Sequence, residues 1–189
     1  MFNKSEENQR ISEWLVKLNT RLPGFVKGDQ KLDRLKTADF VNHSNKIVIE
    51  LKREKGENLD NKDHNTLTLS NRIEGYVKDS NKKFKNYPDY QTLLIIELIS
   101  NIWSAEVIMN GVIQLHFING QHIGNSIKNE RMFSKMENIG AIIFWPAPGN
   151  FINKTYYFDN LTANKQCKVT FQNAREILGT SLELLRKFE

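Results

Sequence analysis

Three charged side chains, Asp39, Glu50 and Lys52, stand at spacings that could carry out hydrolytic chemistry. Asp39 opens the apolar run Asp39-Phe40-Val41, and Glu50 and Lys52 close the run Ile47-Val48-Ile49-Glu50-Leu51-Lys52. Side chains alternate across a strand, so Glu50 and Lys52 share one face about 7 Å apart. The polar turn His43-Ser44-Asn45 between the runs predicts a hairpin that sets Asp39 beside Glu50. Two carboxylates and an ammonium on one sheet edge suit a divalent cation and a phosphodiester. Mg²⁺ takes oxygen ligands, one or two carboxylates with waters and substrate phosphate completing its shell. There it polarises the phosphoryl oxygen, helps to deprotonate water and stabilises the leaving oxygen. Glu-x-Lys occurs once in the chain, and the look-alikes Asp29–Lys31 and Asp60–Lys62 sit in polar sequence with no strand before them. The same residues also allow a plainer reading, a surface hairpin whose Glu50 and Lys52 form an exposed ion pair of little energetic consequence.

The elements that must position this trio can be read outward from it. A helix is expected over residues 5–19, capped by Ser5, with Glu6 and Glu7 in its favourable first turn. Ile11, Trp14, Leu15 and Leu18 recur at helical spacing and define its buried face. Glu7, four residues before Ile11, lies on the apolar side, where a carboxylate is costly unless compensated. It is therefore a candidate ligand or orienting base, or simply a complement to the helix terminus. A first strand is expected near Phe25-Val26 or over 32–35, followed by strands at 37–42 and 46–53 and a polar loop over 56–65. Residues 67–86 predict a second helix, with Leu69, Ile73, Tyr76 and Val77 on one side and Lys78, Lys82, Lys83 and Lys85 trailing. These lysines are candidate nucleic-acid contacts, or a solvated face. Residues 92–99 are nearly all apolar, as in a central strand covered on both faces.

With the order helix, three strands, helix, strand around Asp39 and Glu50-Leu51-Lys52, residues 5–100 resemble the PD-(D/E)XK nuclease superfamily. Its fold is restriction-endonuclease-like: an α-β-β-β-α-β core with a mixed central sheet flanked by helices. Ala38-Asp39 departs from the usual Pro-Asp, whereas Glu50-Leu51-Lys52 fits the second half of the motif. The resemblance implies that Asp39 and Glu50 bind Mg²⁺, with Mn²⁺ as a substitute, helped by the backbone carbonyl of Leu51. It implies that Lys52 orients or activates the attacking water and offsets phosphate charge. It also implies an added acid from the first helix, a role for Glu7 or, less readily, Glu13. The expected activity is metal-dependent endonucleolytic cleavage of DNA, of restriction, repair or mobile-element type. The alternatives are a catalytically inactive nucleic-acid-binding or complex subunit of the same fold, and an unrelated α/β module with a salt-bridged hairpin.

Other chemistries find less support. His43, His64, His116 and His122 show no tight ligand spacing, and the cluster Asp60, Asp63, His64 lacks the regular acids and closing glutamate of a calcium loop. The single cysteine, Cys167, rules out an internal disulfide and fits a reducing, cytoplasmic setting. The polar N-terminus has no signal-peptide core, and no apolar run approaches the ~20 residues of a membrane span, so no membrane partner is expected. At 189 residues, 39% hydrophobic and 26% charged, the chain is expected to form one nuclease-like domain. Its net charge of +5 permits a polyanionic partner such as DNA.

The second half, residues 101–189, reads as accessory strands and helices, a C-terminal β-hairpin and helix extension. Asn110-Gly111 predicts a hairpin turn between 106–109 and 112–117, and Asn119-Gly120 a further turn. A helix is expected over 128–138, strands at 141–145, 156–158 and 167–171, and a final helix from 172 that Gly179 can divide. Trp103, Trp145, Tyr156 and Tyr157 could stack on bases, or serve the core. Double-strand cutting from a single site calls for two protomers, so a homodimer or a larger complex is a further expectation.

Overall fold

In the computed structural model, residues 4–28, 37–54, 66–98, 114–116, 122–124, 136–147 and 154–184 are described, with backbone alone for 66–71, 114–116 and 122–124. Helix α1 spans Lys4–Arg21 and leads into β1 at Phe25–Lys27. Ser5 lies inside α1 rather than capping it. Strands β2 (Phe40–Asn42) and β3 (Ile47–Arg53) follow, then helix α2 (Thr66–Phe84) and strand β4 (Gln91–Leu98). Beyond them come β5 (Gln114–His116), β6 (His122–Gly124), β7 (Ala141–Pro146), β8 (Thr155–Asp159), helix α3 (Phe171–Leu178) and β9 (Leu182–Leu184).

Seven strands form one mixed sheet in the order β1-β2-β3-β4-β7-β8-β9. β1, β2 and β3 run antiparallel, whereas β3, β4 and β7 are parallel neighbours. Being covered on both faces, these central strands are almost continuously apolar. One face packs Val48, Leu94, Ile96, Ile142 and Phe144 against Ile73, Val77 and Phe84 of α2. The other packs Ile49, Leu51, Leu93, Ile95 and Ile143 against Trp14 and Leu18 of α1 and Ala174 and Ile177 of α3. The chain is therefore an α/β fold with helices on both faces of a mixed sheet, and β7, β8 and β9 extend that sheet rather than forming a separate layer.

Three expectations for the second half are corrected. Residues 167–171 are not a strand: Lys165–Cys167 form a 3₁₀ turn, and the Thr170 hydroxyl accepts the Asn173 N–H and so starts α3. Such a side-chain bond competes with extended pairing. Residues 180–184 are not a second helix, and the rest of the expected final helix lies outside the described residues. Gly179 adopts the left-handed conformation (φ 59°) that ends α3, and Leu182–Leu184 then finds backbone partners alongside β8. Residues 136–138 are a turn, not the end of a helix, and the rest of the helix expected over 128–138 lies outside the described residues. β5 and β6 pair across residues 117–121, with His116 opposite His122 in register. The Asn110-Gly111 turn, the 56–65 loop with His64, and Trp103 lie outside the described residues. Among the described residues, no helix is long and apolar enough to cross a membrane.

Candidate active site

The β2–β3 hairpin brings the trio together. Its tight turn is held by Asn42, whose side-chain oxygen accepts the Asn45 N–H (3.1 Å), and by Lys46 at φ 50°. The turn sets Phe40 opposite Ile49, so one further step of the register sets Asp39 opposite Glu50. Asp39 lies just before β2 and is held from two sides. Its Oδ2 accepts the Leu51 N–H (2.8 Å), and its carbonyl accepts the Gly28 N–H (2.9 Å). The N–H and C=O of one strand residue point the same way. The Leu51 carbonyl therefore lies on the same β2-facing side of β3 as the Leu51 N–H. Gly28 has to be glycine here, because a Cβ would fall 1.8 Å from the Ala38 carbonyl oxygen.

Glu50 is 1% exposed, a carboxylate in the interior of a central strand on the face covered by α2. A buried charge requires compensation, and two ammoniums provide it. Lys52 Nζ lies 2.8 Å and Lys83 Nζ 2.6 Å from Glu50 Oε1. Lys52 also donates to Asp79 Oδ2 at 2.8 Å. Glu50 Oε2, by contrast, is buried with no hydrogen-bond partner among the described residues. Asp39, Glu50, Lys52, Asp79 and Lys83 thus form one charged group between the hairpin and α2.

The environment sets the charge states. Burial, and then repulsion from Glu50, push the Asp39 carboxyl up to about 6, against the Leu51 N–H and the Lys83 and Lys52 ammoniums that favour its ionised form. Burial alone would lower Lys52. The Glu50 carboxylate and Asp79 outweigh it, and Lys52 stands above the usual lysine value. Lys52 is therefore a fixed cation near neutrality, able to donate and to offset charge but not to accept a proton.

Glu7 and Glu13 are not brought to the trio. Both stand on α1, which covers the opposite sheet face. The Glu7 side chain is 64% exposed, with Arg10 at 4.0 Å, and Glu13 accepts from Gln9. Lys78 and Lys82 are exposed on α2 and Lys85 in the turn just after it, whereas Lys83 turns inward to Glu50. Asp79 escapes notice in the sequence, and Lys83 reads as a nucleic-acid contact or solvated side chain, because an i, i+4 acid–lysine pair on a polar helix ordinarily faces water. The other unforeseen group lies on the α1 face. Glu97 accepts from Trp14 Nε1 (2.8 Å) and Arg10 (2.7 Å), Trp14 meets Trp145 edge to face, and Lys17 lies 3.4 Å above the Trp145 ring. Its signal is an acid inside the apolar run 92–99, which must find partners. Tyr157 is buried, its hydroxyl donating to the Val169 carbonyl, as befits a core aromatic.

Asp39 just before β2 and Glu50 on β3 are two carboxylates within electrostatic reach of each other, and Glu50 Oε2 is buried without a partner among the described residues, a donor set compatible with a divalent cation. No protein-family model, curated protein or solved structure matches this chain.

Proposed function

We propose that this protein is a metal-dependent endonuclease that hydrolyses phosphodiester bonds in DNA, built on a restriction-endonuclease-like core. The observation that carries the reading is the convergence of Asp39, Glu50 and Lys52 on one face of a buried hairpin, with Glu50 Oε2 left unpartnered. The order of α1, three antiparallel strands, α2 and a parallel β4 supports the same core. Asp39, Glu50 and the Leu51 carbonyl would hold Mg²⁺ or Mn²⁺. When bound, the metal supplies Lewis acidity at the phosphoryl oxygen and at water. Lys52, kept protonated by Glu50 and Asp79, offsets charge on the phosphate and orients the attacking water. The exposed row Lys78, Lys82 and Lys85 supplies phosphate contacts along the backbone. Cutting both strands from one such site calls for a homodimer.

The test is cleavage of supercoiled plasmid and of branched or single-stranded DNA with Mg²⁺, Mn²⁺ or EDTA, with Glu50→Gln and Lys52→Ala beside the wild type. Metal-dependent nicking lost in both folded variants is the expected result. The ion pairing that already satisfies Glu50 Oε1 favours a second reading, a DNA-binding subunit of this fold without chemistry. Salt-sensitive DNA binding with no cleavage in any metal would select it.

A further inference from the structure

One carboxylate needs one counter-charge, yet Glu50 Oε1 receives two ammoniums from two different elements. Their situations differ. Lys52 is anchored twice, to Glu50 and to Asp79, and its backbone lies in a central strand. Lys83 bonds to Glu50 from the last turn of α2, one residue before that helix ends at Phe84. Its four-carbon stem can carry the ammonium outward toward the exposed end of α2, where Lys82 and, just past the helix, Lys85 stand. Among the described residues, Asp39, Glu50 and Asp79 set three carboxylates against these two ammoniums, so the group is close to balanced. A divalent cation added beside both ammoniums would leave it with excess positive charge in a poorly solvated place.

We propose that Lys83 is a place-holding cation for Glu50. Its ammonium occupies the carboxylate that a divalent cation requires, so cation entry displaces Lys83 from Oε1 while Lys52 stays. The displaced ammonium is then available to a substrate phosphate. Lys83 thereby weakens cation binding in the absence of substrate and restricts loading to the moment when a phosphate can receive the lysine. This rests on the metal-dependent reading above and deepens it.

The experiment is Mn²⁺ binding by the full chain near neutral pH, without nucleic acid, read from the loss of the free Mn²⁺ electron paramagnetic resonance signal. Lys83→Gln removes the competing charge and should bind Mn²⁺ about tenfold tighter, a figure reduced for solvent screening at this lysine. Lys83→Arg should stay near wild type, and Glu50→Gln should lose the site. In the wild type, the Lys83 ammonium resonance should leave its Glu50-bound position as Mg²⁺ is added, a readout that needs no variant to fold. Mn²⁺ affinity equal or weaker in Lys83→Gln, with the site still lost in Glu50→Gln, would overturn the role of Lys83 and leave the metal site standing. An ammonium resonance unmoved at saturating Mg²⁺ would do the same. Binding that is independent of Glu50 in every variant, or absent from all of them, would overturn both readings.

Discussion

Asp39→Asn should stabilise the protein while abolishing the activity proposed for it. In the fold the Asp39 carboxyl is pushed from 3.8 to about 6, chiefly by burial and then by Glu50. That makes its ionised form about 3 kcal/mol less favourable in the folded than in the unfolded chain. The sign follows from proton counting. Between the two values the unfolded chain has released a proton that the folded chain retains, so stability falls as pH rises from 3.8 to about 6. Above that range the full cost is present, and below 3.8 it vanishes. An asparagine keeps an acceptor for the Leu51 N–H (2.8 Å in the wild type) and carries no charge against Glu50. The variant should therefore be more stable than wild type by up to about 3 kcal/mol near pH 8, and nearly equal to it at pH ~3. For a chain of this size that is a rise in Tm of roughly 8 °C at the higher pH. Urea unfolding with EDTA present, followed by circular dichroism at both pH values, reads the difference directly. A variant less stable than wild type at both pH values, or a difference that does not change with pH, would refute the reasoning.

Gly28→Ala should displace the segment carrying Asp39, because the added Cβ meets the Ala38 carbonyl oxygen at 1.8 Å. A loss of about 2 kcal/mol in denaturant titration is expected, with cleavage reduced more than stability alone explains. Glu97→Ala leaves the buried donor Trp14 Nε1 and the partly buried Arg10 without their acceptor and should cost about 3 kcal/mol. Since Glu97 lies on the α1 face, the metal dependence of any cleavage should be unchanged in that variant. Replacing Lys78, Lys82 and Lys85 together by glutamine should weaken DNA binding and lower the slope of log K against log salt by about three, with thermal stability unmoved. Thr170→Ala removes the side-chain acceptor for the Asn173 N–H at the start of α3 and should cost about 1 kcal/mol by thermal melt.

What the sequence by itself determined is local. The alternation of Ile47 to Lys52 assigns Glu50 and Lys52 to one face, and the short polar turn before it sets Asp39 opposite Glu50, since strand period and turn length are properties of a few consecutive residues. The apolar stripe of α1 and the continuous run of β4 are legible for the same reason. Tertiary structure decided the rest. Asp79 and Lys83 join the site only because α2 packs across the hairpin's face, and nothing in an acid–lysine pair on a helix says which way it will turn. Glu7 shares the side of α1 with Ile11, yet it stays in water because the packed contact begins further along the helix. Leu182–Leu184 became a strand, not a helix, because an open edge of β8 offered backbone partners. Glu97 found its charge partner 87 residues away in Arg10. Period and turn chemistry act within a few residues, whereas the partner of a buried charge depends on which distant elements come to cover it.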